Sequence, residues 1–291
     1  MAEYPVKLGV IGGSGVYEME GVEVVAEHDI DTPFGKPSDK IIEVSLEGRQ
    51  AFFLPRHGKG HRLLPSEVNY RANIYALKSL GVTHVLAVSA VGIMKDEIHP
   101  GDMVVPDQIF DRTKGIRPST FFGEGIVGHV EFADPFDKEM CGWIANSAQT
   151  VVNRVHMGAA YVAMEGPQFS TRAESRMYRD SLKPSVIGMT GIPEAKLVRE
   201  AEMCYGMLAL ATDYDCWKDD GDDVNVEAVL AVLKANSDNA KSIVRELISK
   251  LPETSSSPNL EAAKFAIITA RDAIPSKRRE ELALLYGKYL G

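Results

Sequence analysis

The sequence has few cysteines and no long apolar run. Its 291 residues include three cysteines, Cys141, Cys204 and Cys216, widely spaced and without a CxxC pair. That pattern disfavours a disulfide framework or a structural metal site and indicates a reducing compartment. No stretch reaches the roughly 18 apolar residues that would suggest a membrane span. The N-terminal MAEYPVKLGVIGG lacks the basic and apolar regions of a signal peptide, so we expect a cytoplasmic protein.

Positive charge is scarce relative to negative charge. There are 32 lysines and arginines against 41 aspartates and glutamates, which gives a formal net charge of -9. This balance argues against nucleic acids and anionic membranes as partners. It also means that an anionic ligand would need a local positive site built for it.

Strand-like and helix-like segments alternate along the chain. Short apolar stretches such as VKLGVIGG, QAFFLPRHG, THVLAVSAVG and CYGMLALATDYD are typical of buried strands. The stretch SEVNYRANIYALKSLG predicts a helix capped by Ser66, and residues 225–251 predict a long amphipathic helix. VVNRVHMGAAYVAMEGPQFS predicts two strands around a glycine. After a linker-like PETSSSPN we expect a helical tail over about 260–290, and the whole predicts one α/β domain, 1–291, with a core over about 8–250.

Two carboxylates follow the most apolar of these strands. Asp213 and Asp215 end the stretch LALATDYDCW, before the acidic run from Lys218 onward, which we interpret as solvated surface. A carboxylate is costly to bury unless it is paired, protonated or hydrogen-bonded. Because open α/β sheets bind ligands beyond the carboxyl ends of their strands, this pair is a candidate ligand site.

Four further segments at strand ends carry groups that suit an oxyanion. GVIGGSGV places Ser14 in a glycine-rich turn whose amides could hold phosphate. In PRHGKGHR, Arg56 is a fork suited to two phosphate oxygens, with His57 beside it. VSAVG places Ser89 and Ala90, and GMTGIPEAKL places Thr190, at two other strand ends. Each segment alone also fits an ordinary turn, surface loop or helix start.

Aromatic, imidazole and thioether side chains complete the candidates. Phe169, on the turn MEGPQFS, could stack on a planar base, although a core phenylalanine is an equally good reading. Met189 could support a sugar face, and a core methionine is the commoner explanation. His129 lies in the loop GIVGHVEF, where a plain surface histidine is the simpler interpretation. Histidines at positions 57 and 61 lack the further ligands of a metal site.

Taken together, seven motifs resemble the trimeric purine nucleoside phosphorylase / methylthioadenosine phosphorylase family. They are GVIGGSG, PRHGKGHRLLPSEVNYRANI, VSAVG, EIHPGD, EGPQFSTRAE, GMTGIPEAKLVREA and ATDYDCW, in family order over about Leu8 to Lys250. The resemblance implies a three-layer α/β/α sandwich with a central mixed β-sheet and a homotrimer, with a hexamer as the alternative. It also implies cleavage of a purine nucleoside by inorganic phosphate as co-substrate, without a metal or organic cofactor.

The resemblance also implies a role for each candidate. Phosphate would be held by Ser14, Arg56, His57, Ser89, Ala90 and Thr190. Met189 would contact the ribose, Phe169 the base, and His129 the 5' pocket of a neighbouring subunit. Val226, Val229 and Leu230 would make that pocket apolar. Asp213 and Asp215 would face the purine N7 and the 6-amino group. Ser14 and Ser89 stand where threonine is common in the family, and both keep the hydroxyl.

These roles predict a 6-aminopurine substrate with an apolar 5' group. Asp213 would donate a proton to N7, and Asp215 would accept from the amine. The apolar lid favours a 5'-methylthio group, with adenosine as a weaker substrate because one pocket contact is worth only about 1–3 kcal/mol. The alternatives are a 6-oxopurine or methylthioinosine phosphorylase, a hydrolase that uses water, and a non-catalytic nucleotide-binding module.

Overall fold

The computed structural model describes residues 2–13, 19, 21–218 and 226–290, without the side chains of residues 226–230. The strands are β1 (Tyr4–Pro5), β2 (Leu8–Gly12), β3 (Val22–His28), β4 (Ile41–Leu46), β5 (Arg49–Pro55), β6 (His84–Ile93), β7 (Met103–Arg112), β8 (Val155–Met164), β9 (Val186–Gly188), β10 (Cys204–Tyr214) and β11 (Thr254–Ser255). The helices are α1 (Tyr70–Ser79), α2 (Lys138–Gln149), α3 (Arg172–Met177), α4 (Gly191–Glu200), α5 (Val226–Lys250), α6 (Ser276–Glu281) and α7 (Ala283–Leu290).

A nine-stranded mixed sheet forms the centre of the fold. Its order is β10-β7-β8-β9-β6-β2-β5-β4-β3, and β10 pairs a second time, with β6. Strands β6, β9, β8, β7 and β10 therefore close into a ring, while β2, β5, β4 and β3 extend from it as an open sheet. Strands β5, β2, β6 and β10 are successively parallel, so their carboxyl ends lie at one edge. The predicted α/β class with a central mixed sheet is confirmed.

Helices pack in two groups against this sheet. One group joins α1 to α4 and α7, and the other joins α2 to α5, which also contacts β10, β4 and β5. Strands β2, β5, β6 and β10 are largely buried; in β10 every residue from Cys204 to Thr212 is buried. None of the helices in the described part of the chain is long and apolar enough to cross a bilayer.

Several local predictions differ from the structure. Ser66 does not cap α1: the helix begins at Tyr70, and the Asn69 side chain accepts from the Ala72 amide at 3.2 Å. The segment around Gly158 is one strand, β8, rather than two. The glycine adopts a positive φ of 66°, and the strand continues on both sides of it. The tail is helical only in α6, α7 and two short 3₁₀ turns over residues 258–261 and 271–273.

Candidate active site

At the edge of the sheet where the carboxyl ends of the parallel strands lie, β2 and β9 leave an opening beside β6. Strand β6 pairs with β2 as far as Ala87 and meets β9 only from Gly92 onward. Ser89 and Ala90 occupy the interval, half-buried and exposed respectively. The Ser89 hydroxyl lies 3.4 Å from that of Thr190, a buried residue directly before α4. Two of the predicted phosphate-binding hydroxyls are thus brought together from segments about 100 residues apart.

Arg56 lies beneath this opening and is 2% exposed. Its Nε and Nη2 donate to Glu194 of α4 at 2.9 and 3.1 Å, Nη1 donates to the Val88 carbonyl and Nη2 to that of Ile11. Burial opposes the charge of the guanidinium, but Glu194 outweighs it and raises the pKa of Arg56. The fork predicted for two phosphate oxygens therefore faces Glu194, and a remaining Nη1 hydrogen is what Arg56 offers to an anion.

Glu194 lies in the first turn of α4 and has a second donor besides Arg56. It also accepts from the hydroxyl of Tyr205 at 2.9 Å and is 1% exposed. This buried ion pair ties β5 to α4, and with it the strand end at Arg56 to Thr190.

His57 follows Arg56 and is neutral. Its Nδ1 lies 2.8 Å from the Leu63 carbonyl, which can only accept, so Nδ1 carries the hydrogen. Burial lowers the pKa of His57 to about 4, and its ring stacks on His61 with centroids 4.3 Å apart. This imidazole therefore supplies no positive charge to the candidate anion site.

Asp213 and Asp215 lie at the end of β10, beside β6. Asp213 pairs with Gly92, and the Asp215 amide donates to the Ile93 carbonyl at 3.1 Å. The Asp213 side chain is exposed at the strand end. Loss of part of the hydration of its carboxyl raises the pKa of Asp213, the Thr212 hydroxyl lowers it, and the charge of Asp215 raises it. Asp215 is buried, and its Oδ2 has no hydrogen-bond partner among the described residues. The pair thus presents a carboxyl with a raised pKa and a buried acceptor that lacks a donor.

Arg117 holds the neighbouring segments in place, although no sequence motif marked it. It is buried and donates to the Glu165 carboxylate at 2.7 Å, to the Glu165 carbonyl, and to the Met189 and Ile192 carbonyls at 2.5 and 2.7 Å. The Ser66 hydroxyl also donates to Glu165, at 2.6 Å. One guanidinium therefore orders both the end of β8 and the half-buried Met189 segment.

The remaining candidates lie apart from this core or outside the described residues. Phe169 is 80% exposed, but its segment touches the aspartate segment, because the Cys216 thiol donates to the Ser170 carbonyl at 3.2 Å. His129 is exposed and lines a different cavity of about 1000 Å³. Ser14 and the side chains of Val226, Val229 and Leu230 lie outside the described residues.

Comparison with known proteins identifies the family of the chain. The family model described as "Phosphorylase superfamily" matches residues 7–249. The S-methyl-5'-thioadenosine phosphorylase of Geobacter sulfurreducens is 54% identical over 97% of this chain and 99% of its own length. The chain belongs to the S-methyl-5'-thioadenosine phosphorylase family.

Solved structures of the S-methyl-5'-thioadenosine phosphorylase family share the whole fold. A methylthioadenosine phosphorylase from an antarctic soil metagenomic library superposes with a TM-score of 0.91 at 43% identity, over 97% of this chain and 99% of its own. The Schistosoma mansoni methylthioadenosine phosphorylase in complex with adenine has a TM-score of 0.81 at 36% identity, over 89% and 96% of the two chains.

Proposed function

We propose that this protein cleaves the N-glycosidic bond of S-methyl-5'-thioadenosine with inorganic phosphate. The products are adenine and 5-methylthioribose 1-phosphate, and adenosine is a weaker substrate. The observation that carries the proposal is the buried, donor-less Oδ2 of Asp215 beside Asp213, since adenine offers a 6-amino donor next to an N7 acceptor. Relatives with this activity in their names match nearly the full chain.

The N-glycosidic bond breaks through an oxocarbenium-like transition state, so an anion near C1' lowers the barrier to cleavage. Phosphate in the opening between β2 and β9 receives a hydrogen bond from Arg56 and from the hydroxyls of Ser89 and Thr190. It then attacks C1' from the face opposite the purine and inverts that carbon. The charge of Arg56 is neutralised by Glu194, so phosphate is held by oriented hydrogen bonds more than by net charge.

Asp213 acts as the general acid toward N7. A raised pKa keeps its carboxyl protonated over more of the pH range than an ordinary aspartate. The purine leaves more readily once N7 carries the proton. Asp215 accepts from the 6-amino group and so selects 6-aminopurines.

The other candidates complete the assignment by the family pattern. Met189 contacts the ribose, Phe169 the base, Ser14 and Ala90 the phosphate, and Val226, Val229 and Leu230 the methylthio group. His57 is also assigned to the phosphate, where its Nε2, which can only accept, takes the O–H of hydrogen phosphate. Phosphate is the co-substrate, and no metal or organic cofactor takes part. Cys141, Cys204 and Cys216 are free thiols, which supports a cytoplasmic setting.

An assay of base release from four nucleosides, each with and without phosphate, tests the proposal. We expect release from methylthioadenosine to be fastest, adenosine to be slower, and methylthioinosine and inosine to be slowest. Release without phosphate would identify a hydrolase instead. Faster release from methylthioinosine would overturn the adenine assignment.

Asp215→Asn is expected to narrow the preference for adenine over hypoxanthine nucleosides. The asparagine amide can donate to O6 of hypoxanthine, whereas the carboxylate opposes that oxygen. A mismatched buried group costs on the order of 1–3 kcal/mol, about ten- to a hundred-fold in rate. The ratio of kcat/KM for methylthioadenosine to that for methylthioinosine measures the effect, and an unchanged ratio defeats the role of Asp215.

We also assign the protein a homotrimeric assembly through the surface around His129. The backbone amide of His129 donates to the Ala266 carbonyl at 2.9 Å, and the Ile268 amide donates to the Val127 carbonyl at 3.0 Å. Three large apolar side chains on these paired segments are exposed: Phe265 by 89%, Ile268 by 67% and Val127 by 46%. Clustered apolar exposure of this kind supports a protein contact, and it would carry His129 into the site of a neighbouring copy.

Phe265→Asp is expected to dissociate the assembly, because a charge at the centre of an apolar contact loses its hydration. Sedimentation would show the mass falling to that of one chain. Val24→Asp, which changes an exposed side chain on β3 (52% exposed), should leave the mass unaltered. A Phe265→Asp protein that keeps its wild-type mass excludes this surface.

A further inference from the structure

The strand that carries the aspartates is irregular at Thr212. Ala211 pairs with Val91 and Asp213 with the next residue, Gly92, so Thr212 is an extra residue in the ladder between β10 and β6. In a regular strand, consecutive side chains point to opposite faces. The bulge instead brings the buried Thr212 hydroxyl to 2.5 Å from Oδ1 of Asp213. Bulges beside active sites commonly redirect a side chain in this way.

The Thr212 hydroxyl has two acceptors and a single hydrogen. Its oxygen lies 3.0 Å from the Val91 carbonyl and 2.5 Å from Asp213 Oδ1. The carbonyl has the same acceptor strength throughout, whereas Oδ1 becomes a stronger acceptor when the carboxyl ionises. Rotation of one hydroxyl therefore follows the charge of Asp213.

We propose that Thr212 is a positioning residue that stabilises the Asp213 carboxylate as its proton passes to the leaving base, an inference that rests on the proposed function. The Asp213 O–H bond breaks and its electron pair stays on the carboxylate. A new N–H bond forms at the purine N7, and the electron pair of the glycosidic bond goes to the purine. The Thr212 hydroxyl meanwhile turns from Val91 toward Oδ1.

The described groups that pack around Asp213 are mostly uncharged, so the Thr212 hydroxyl has a clear effect on the pKa of Asp213. β6 presents Val91, Gly92 and Ile93, which carry no charge, and α5 presents the neutral amide of Asn236, which donates to the Ala211 carbonyl at 2.8 Å. Asp215 is the neighbouring carboxylate and raises the pKa of Asp213, while the hydrogen bond from Thr212 lowers it. Lys218 lies over the Tyr214 ring at 3.6 Å.

Thr212→Val keeps the shape of the side chain and removes its hydroxyl. A hydrogen bond to a charged group shifts a carboxyl pKa by about one to two units. We therefore expect the alkaline limb of the pH profile of kcat to move to higher pH by about that amount, because the carboxyl stays protonated to higher pH. We expect kcat at its plateau to fall about ten-fold, with KM for the nucleoside little changed. Thr212→Ser should restore both values.

Thr120→Val is the matched control, because the Thr120 hydroxyl donates to the Glu200 carboxylate at 2.7 Å away from the aspartates. It should leave the alkaline limb in place. A Thr212→Val enzyme with the wild-type limb, or a Thr212→Ser enzyme that resembles Thr212→Val, overturns the inference. Thr212→Ala replaces Thr212→Val if the latter does not fold, and the same shift is expected of it.

Asp213→Asn separates this inference from the proposed function. If Asp213 is the acid, the asparagine variant loses the alkaline limb altogether, since an amide does not titrate. An asparagine variant that keeps the limb overturns the acid assignment itself, and the inference with it. Loss of the limb in Asp213→Asn together with an unmoved limb in Thr212→Val overturns the role of Thr212 alone.

Discussion

Asp213→Ala should lower kcat for methylthioadenosine by about 10²- to 10⁴-fold, the usual contribution of general acid catalysis. Alanine leaves no proton donor at N7, so the adenine must depart as a poorer leaving group. Because the substrate keeps its contacts with phosphate and ribose groups, we expect KM to change less than kcat. Steady-state kinetics with saturating phosphate measures both constants.

A substrate with a better leaving group provides the control for this result. A nucleoside whose base departs without protonation should lose much less rate in Asp213→Ala than methylthioadenosine does. Equal losses for the two substrates would mean that the variant has damaged the site in general. A kcat within a few-fold of wild type would contradict the assignment of Asp213 as the acid.

Glu194→Gln should cause the largest loss of stability. It leaves the guanidinium of Arg56, 2% exposed, without its counter-charge at a depth where water cannot replace it. Removing one partner of a buried ion pair costs about 3–5 kcal/mol of unfolding free energy. Denaturant-induced unfolding measures the loss. KM for phosphate should also rise, because Arg56 would no longer be held toward the site.

Asp29→Asn is the matched surface control. Asp29 pairs with Lys36 at 2.7 Å, with both side chains more than half exposed, and exposed pairs contribute little to stability. We expect its unfolding curve to overlay the wild-type curve within experimental error. If Glu194→Gln also overlays it, the pair with Arg56 does not hold β5 against α4.

The sequence predicted the parts of the site that depend on local pattern. The sequence shows an apolar run followed by Asp213 and Asp215, and the structure places these two aspartates at the end of β10. The roles predicted for the candidate site residues came from the family resemblance. The α/β class followed from the alternation of segments, and the bounds of α5 agree with its amphipathic pattern.

What the sequence could not predict depends on distant pairing. Arg56 and Glu194 are 138 residues apart, so no local motif shows that the arginine fork is occupied. The bulge at Thr212 depends on register against β6, which is a property of two strands. Strand β3 was not predicted because it is largely exposed and lacks a buried apolar run. The cap of α1 is Asn69 rather than the predicted Ser66; serine and asparagine both cap helices well, so residue type alone does not place the helix start.

The closed ring has a consequence for the order in which the protein is made. His84 at the start of β6 pairs with Cys204 of β10, and at usual synthesis rates the intervening stretch takes roughly 6 to 24 seconds to emerge from the ribosome. During that interval one side of β6 lacks its longest neighbour and leaves backbone N–H and C=O groups unpaired. The segment that carries Asp213 and Asp215 is therefore synthesised after β2, β5, β6 and β9, the strands at the opening.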